Sequence, residues 1–557
     1  MAEEAHHELR SERPSAMRKW LEIGLIFAIF FVHGGAPAPH VNETYYLAKA
    51  KHYWEPSWCQ GDLFLESADA HLTFYWTIGW LAKFFSLPTV AWIGRIAAWG
   101  LLAWSWQRLS TRLTRLPLAS VLSAALMVWL VGVMNFAGEW VVGGVEGKCF
   151  AYACVFAGLT AMVDARWRLA WPWFGLAGAF HVLVGGWSAI AAGLVWLLER
   201  SDARPSIVTM LPSLLLAIAL ALPGIVPALK LTSDVSSEVS REANQVYVFD
   251  RLPHHLAPLA VESKTLFMHT RNFSLPLLAF VILWWAAGVS SRGTLEGKSA
   301  NVVSLSPGPS LQGRGIGMAL TRICRFAAWG FLISVLGLIW EIVCWNHPAL
   351  AASLLKYYWF RLADVAVPVA AVFLICYWIE RLARERSRLL VPAVMIAVAL
   401  PIYHLVGTSA ARWRDTTPPA DAKMIDPAAW LETCQWVRER TPVDAMFLVP
   451  RAAQSFTWNT GRKNVVTWKD VPQDAATLIT WRDRYFDVYW HNDEFGEYVP
   501  YGSLAWQGTA QVRELAAKYG VDYVITREFP PLGLPVAYGN ASYTVYRVSR
   551  EAEDTLE

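Results

Sequence analysis

Four stretches of this sequence set carboxylates and cations at the ends of apolar runs, where an ionisable side chain needs a partner or a task. The first opens Asn42-Glu43-Thr44-Tyr45-Tyr46. A half-buried carboxylate at such a boundary has a raised pKa and can serve as a general base, whereas a glutamate opening a helix is satisfied by the helix dipole; Glu43 fits both readings. Asp62, ahead of Leu63-Phe64-Leu65, fits a catalytic carboxylate and equally a helix cap. The second stretch, Gly138-Glu139-Trp140-Val141-Val142-Gly143-Gly144-Val145-Glu146-Gly147-Lys148, flanks two carboxylates and a lysine with glycines whose backbone can approach a ligand. Lys148 at a helix N-terminus can hold a phosphate beside the free amides, with Glu146 next to it, or it can be an interfacial lysine reaching toward water.

The third stretch holds Asp250-Arg251 and His254-His255. Adjacent histidines cannot chelate one metal from one helix face, which leaves donors toward a phosphate, a single metal-binding histidine, or surface histidines without a role. The fourth sets Arg361 and Asp364 three apart on one helical face, as an ion pair or as a guanidinium that grips phosphate. His181 reads as a packed polar residue. Together these groups offer what glycosyl transfer at a membrane surface requires: cations for a departing phosphate and a carboxylate to take a proton from the acceptor.

The elements that must position them are read from composition. The chain has 557 residues, 55% apolar and only 17% charged, with 31 tryptophans. That charge content is low for a soluble protein, and tryptophan favours membrane interfaces. The net charge of +3 points to no nucleic-acid partner. The seven cysteines show no metal-ligand spacing and read as small buried hydrophobes. No signal-peptide cleavage site stands out after the apolar run at 20–32, so a retained first span is expected.

Apolar runs of spanning length predict about eleven helices, at 19–36, 88–106, 117–136, 148–164, 169–184, 187–199, 206–228, 273–290, 324–344, 362–380 and 389–408. With the N-terminus cytoplasmic, arginines cluster in each inner connection, as the positive-inside rule demands. This requires 70–87 to lie as an amphipathic helix on the outer surface, with Trp76, Trp80 and Phe84 toward lipid, and leaves Arg95 near the outer interface. The first outer loop is then about 36–87, and the inner loop 291–323 reads as flexible. Residues 1–408 form the bundle. Residues 409–557 form an extracytoplasmic α/β domain with a helix at 427–439, strands at 445–449, 523–526 and 542–548, and a helix at 512–519. The expected fold class is mainly α, a polytopic transmembrane bundle followed by a soluble α/β domain.

The segment Asn42-Glu43 with Tyr45-Tyr46 and Ala48, and His71-Leu72-Thr73-Phe74-Tyr75-Trp76 followed by Arg95, resembles the first external loop of the GT-C superfamily of membrane glycosyltransferases. The match departs from that pattern at Asn42, where an aspartate is usual, and at His71-Leu72-Thr73, where Pro-Pro-Leu is usual. No Asp-x-Asp stands in the second loop, and the oligosaccharyltransferase signature Trp-Trp-Asp-Tyr-Gly is absent. The resemblance implies a polyprenyl-phosphate-sugar donor, an acceptor of unspecified class and Glu43 as base, with Lys148 and Arg361 near the donor phosphate. It requires no cofactor and leaves a divalent metal open. A transporter, or a membrane scaffold with an outer binding domain, is the alternative.

Overall fold

The computed structural model describes residues 16–548 except 201–202, 262–265, 269, 272, 275–276, 283, 286–309 and 494–496. The bundle is built from α1 (Ala16–Gly34), α2 (Glu43–Trp54), α3 (Leu87–Leu113), α4 (Ala119–Val133), α5 (Gly147–Val163), α6 (Trp167–Phe180), α7 (Val182–Leu197), α8 (Ile207–Lys230), α9 (Ser237–Gln245), α10 (Ser310–Val343), α11 (Pro348–Leu355), α12 (Ala363–Arg384) and α13 (Leu390–Arg414). Four of the described helices are long and apolar enough to cross a bilayer: α8, the Gly317–Val343 part of α10, α12 and α13. α4, α5 and α7 are apolar but shorter.

α5 and α12 are apolar on nearly every side and form the centre of the bundle, whereas α8 and α13 are mostly exposed along rows of leucine, isoleucine and valine. A helix apolar all round is stable at the centre of such a bundle or against lipid, because both surround it with hydrocarbon. Within the expected span at 273–290 the described residues, 273–274, 277–282 and 284–285, are helical, and the remainder lies outside the described residues, as does the first part of the loop at 291–323. From Ser310 onward that loop is instead helix, continuous with α10, so the Ser/Gly-rich reading fails where apolar periodicity resumes.

Residues 72–83 form a short helix, Leu72–Thr77, and a 3-10 turn, Gly79–Lys83, too short to cross a membrane. Trp76, Trp80 and Phe84 are exposed along it, as an interfacial segment requires. Arg95 departs from expectation. It is fully buried in α3 and neither reaches toward solvent nor lines a cavity.

The C-terminal region folds around a five-stranded sheet in the order β2-β1-β5-β7-β6: β1 (Met446–Leu448), β2 (Lys463–Asn464), β5 (Tyr523–Arg527), β6 (Val536–Gly539) and β7 (Tyr543–Arg547). A hairpin, β3 (Trp490–Asn492) with β4 (Tyr498–Pro500), stands apart from it. β1 runs parallel to β2 and β5, and β7 closes antiparallel to β5. Successive strand residues point to opposite faces. Leu448, Val524 and Tyr546 therefore pack under α15 (Ala475–Tyr489) and α16 (Gly508–Tyr519), while Phe447, Ile525 and Val545 pack against Trp430 on α14 (Pro427–Arg440).

Two carboxylates fasten this domain to the segment between α1 and α3. Asp62 caps the helix Leu63–Glu66 through the amides of Phe64 and Leu65, and also accepts the Asn464 N–H at 3.1 Å. Asp474 caps α15 and accepts the Ala68 N–H at 3.1 Å.

Candidate functional site

Between the bundle and the domain lies a polar cavity of about 360 Å³. One wall is the loop 135–146 between α4 and α5, and this loop is held from behind by two buried carboxylates. Asp364, in the first turn of α12, accepts the backbone N–H groups of Phe136 at 2.9 Å, Ala137 at 2.8 Å and Glu139 at 3.2 Å. Glu43, in the first turn of α2, accepts the Val145 N–H at 2.8 Å and the His40 N–H at 2.7 Å. Arg95 grips the same Glu43 carboxylate with Nε and Nη2, each at 2.6 Å. Two of the loop's glycines serve this packing. A Cβ on Gly144 would lie 2.5 Å from His40 Cβ and 3.1 Å from the Glu43 carboxyl carbon, and Gly138, at φ +75°, lies against the His255 ring.

Two further carboxylates on this loop face the cavity. Glu139 pairs with Arg361 Nε at 2.7 Å and with Lys148 at 3.4 Å. Glu146 pairs with Lys148 at 3.0 Å and accepts Asn42 Nδ2 at 3.0 Å. Lys148 also sits 4.0 Å above the Trp140 ring, and Arg361 3.9 Å above Tyr358. Tyr358 is left-handed at φ +55°, a conformation that costs a non-glycine residue about 1 kcal/mol or more and tends to collect at functional sites. Arg361 Nη1 lies 2.9 Å from His181 Nε2.

The opposite wall comes from Arg251 and from the segment 467–473 of the C-terminal domain. Arg251 lies buried over the Trp468 ring at 4.4 Å, and Lys469 and Gln473 line the cavity beside it. Burial, with Arg251 nearby, lowers the Lys469 ammonium to about 8. Burial likewise depresses the His40 and His255 imidazoles below their usual range.

A second, mostly apolar groove of about 370 Å³ adjoins this cavity, and the two share Tyr46, His181, Tyr247, Tyr358, Arg361 and Gln473. Its far walls are Phe180, Val182 and Leu183 at the α6–α7 junction, and Gly224, Ile225 and Ala228 on α8. Leu229 at its rim is 68% exposed, so the groove opens on the apolar outer surface of the bundle.

The chain was compared with known proteins. Residues 428–488 match DUF6798, a domain of unknown function. No curated protein matches significantly. Among solved structures, the chain is similar to the Archaeoglobus fulgidus oligosaccharyltransferase, solved in complex with Zn and sulfate, at 13% identity and a TM-score of 0.41, over 90% of this chain and 67% of that one. It is also similar to ArnT from Cupriavidus metallidurans, solved bound to undecaprenyl phosphate, at 12% identity and a TM-score of 0.36, over 95% and 98%.

Of the residues singled out in the sequence, Glu146, Lys148, Arg251, His255 and Arg361 line the cavity. Glu43 does not; its oxygens are taken by Arg95 and two amides behind the wall. Asp364 does not pair with Arg361 but holds the loop that carries Glu139. Asp62 lies away from the cavity as a cap and domain tie. His254 stacks on His255, with ring centroids 4.0 Å apart, and does not reach the cavity. Glu139, marked in the same glycine-rich stretch as Glu146, lines the cavity as well, and so does His181, which was expected only to pack; Lys469 went unread. Lys469, between Trp468 and Asp470 in the C-terminal domain, stood at no boundary of an apolar helix and had no such signal.

The donor set does not fit a divalent metal. Both cavity carboxylates already face Lys148, whose ammonium would repel a second cation, and no cluster of three acidic, histidine or cysteine ligands occurs among the described residues.

Proposed function

We propose that the protein is a membrane glycosyltransferase that takes a sugar from a polyprenyl-phosphate-linked donor and passes it to an acceptor on the extracytoplasmic face. The observation that carries this reading is the junction at Arg361. There a cation-rich polar cavity meets an apolar groove open to the lipid side, the shape of an ionised head on a hydrocarbon tail. The bundle, 1–408, supplies the groove and the carboxylates, and the domain, 409–557, covers the cavity.

In the reaction, the acceptor oxygen forms a bond to the anomeric carbon as its proton passes to Glu146. The bond from that carbon to the donor oxygen breaks, and its electron pair leaves on the phosphate. Lys148 and Arg361 receive this growing negative charge in a site shielded from water, where such contacts are strongest. Glu146 is the better base than Glu43 because it faces the cavity and is held by one cation and one amide. Glu43 acts through it, fixing the Val145 N–H one residue earlier. No step is routed through a metal.

The test is transfer of labelled sugar from a panel of polyprenyl-phosphate and polyprenyl-pyrophosphate donors by the full chain in proteoliposomes. Wild type transfers sugar, and Glu146→Gln falls by about 10²–10⁴-fold. No transfer by wild type across the panel, together with no binding of any donor, sinks the reading.

A further inference from the structure

Charge inside the polar cavity is not balanced. Lys148 and Arg361 are matched by Glu139 and Glu146, two cations to two anions. Arg251 and Lys469 line the same cavity and have no ion-pair partner among the described residues. Arg251 is 7% exposed, and its Nε has no hydrogen-bond partner among the described residues. The acid closest in sequence to Lys469, Asp470, accepts instead from Thr467 Oγ1 at 2.7 Å, does not line the cavity, and is pushed by burial up to about 7. Burial holds two of the cavity histidines, His40 and His255, below the usual imidazole range, and the third, His181, lies against the Arg361 guanidinium. Across from the domain-side cations the wall is fixed, because Glu43 and Asp364 hold its backbone.

Neither cation has a carboxylate within ion-pair distance among the described residues, and Glu146 and Asp470 act on Lys469 only from farther away. The cavity as a whole therefore carries two more cations than paired anions, and a ligand with two negative charges brings it into balance. A sugar joined to a lipid through one phosphate is a phosphodiester with one ionised oxygen. Joined through pyrophosphate, it has one ionised oxygen on each phosphorus. We propose that the cavity selects a pyrophosphate-linked lipid sugar, with one phosphoryl group at Lys148 and Arg361 and the other between Arg251 and Lys469. This rests on the reading of the site as one for a lipid-linked sugar, and it assigns Lys469, in the region matching the domain of unknown function, to donor recognition.

The experiment is a binding titration at pH 7 on the full chain in nanodiscs, with farnesyl-pyrophosphoryl-glucose against farnesyl-phosphoryl-glucose. Wild type should bind the pyrophosphate at least about tenfold more tightly, since each added charge-assisted contact is worth 1.4 kcal/mol or more. Lys469→Met should bring the two within about twofold, and Lys469→Arg should restore the preference. Equal affinities in wild type, or a preference unchanged in Lys469→Met, overturn this inference and leave the lipid-linked donor standing. Binding of neither lipid overturns both.

Discussion

In the loop 135–146 the two cavity carboxylates meet cations and the backbone is held by buried acids, whereas in the segment 467–473 Lys469 meets no carboxylate. The two regions face each other across one cavity and differ in what their charges are for. The bundle-side wall is paired charge to charge before any ligand arrives, although Glu139 Oε1 and Glu146 Oε1 have no hydrogen-bond partner among the described residues. Its ion pairs fix geometry, and breaking one leaves a buried charge alone. The domain-side wall is left incomplete, and its cations gain a partner only from a ligand. Substitutions on the bundle side should therefore cost stability, and substitutions on the domain side should cost binding.

The sharpest break in that contrast is Glu43→Gln. It strands the fully buried Arg95 guanidinium and should destabilise the protein by about 3–5 kcal/mol, read as a fall in melting temperature in detergent. A melting temperature equal to wild type's would mean that Glu43 is not an anchor. Arg361→Gln tests the junction of cavity and groove. Its kcat should drop by about 10²–10³-fold, because the lost donor is one that faces the leaving phosphate.

Asp364→Asn comes next. An amide replaces an acceptor shared by three backbone N–H groups, so about 1–3 kcal/mol of stability should go. Transfer should fall with it as Glu139 loses its place. Asp62→Ala is milder. Losing a cap costs about 1 kcal/mol, and the contact to Asn464 goes with it, loosening the domain without touching the cavity. Limited proteolysis between the domains would register that loosening.

The smallest effect sharpens the domain side. The Lys469 ammonium titrates at about 8 in the folded protein, below the ordinary lysine value near 10.4. Between those two pH values the unfolded chain binds the extra proton, so stability rises with pH through that window and is lowest below about 8. Donor affinity should run the other way, falling as pH passes 8. Lys469→Met should remove the stability slope, and Lys469→Arg should remove the fall in affinity. Parallel pH profiles in wild type and both variants would show that the lysine is not an unpaired cavity cation.

Much of the scaffold was legible because it depends on local pattern. Apolar runs ended near the residues where helices end, the tryptophan-rich segment 70–87 lies exposed and short, and the strands 445–449, 523–526 and 542–548 lie at β1, β5 and β7. Of the site, the sequence marked the glycine-rich stretch with Glu146 and Lys148, together with Arg251 and Arg361, because charge beside hydrocarbon demands a reason. It could not rank Glu43 against Glu146. Both are glutamates at the ends of apolar runs, and what separates them is a pairing with Arg95 that spans 52 positions and an amide contact that spans 102. Asp364 and Arg361 look like a pair at helical spacing, yet each is claimed by the loop 135–146.

What the residues determined alone is apolar pattern: which segments suit hydrocarbon, which suit water, and where charge meets the boundary between them. That follows from transfer free energy, which each side chain carries with it. The tertiary structure decided which carboxylate faces a cavity and which is spent on an anchor, and it brought Lys469 from the soluble domain over a membrane helix bundle. Those outcomes depend on distances between residues far apart in the chain, and electrostatic energy is set by distance and burial rather than by residue type.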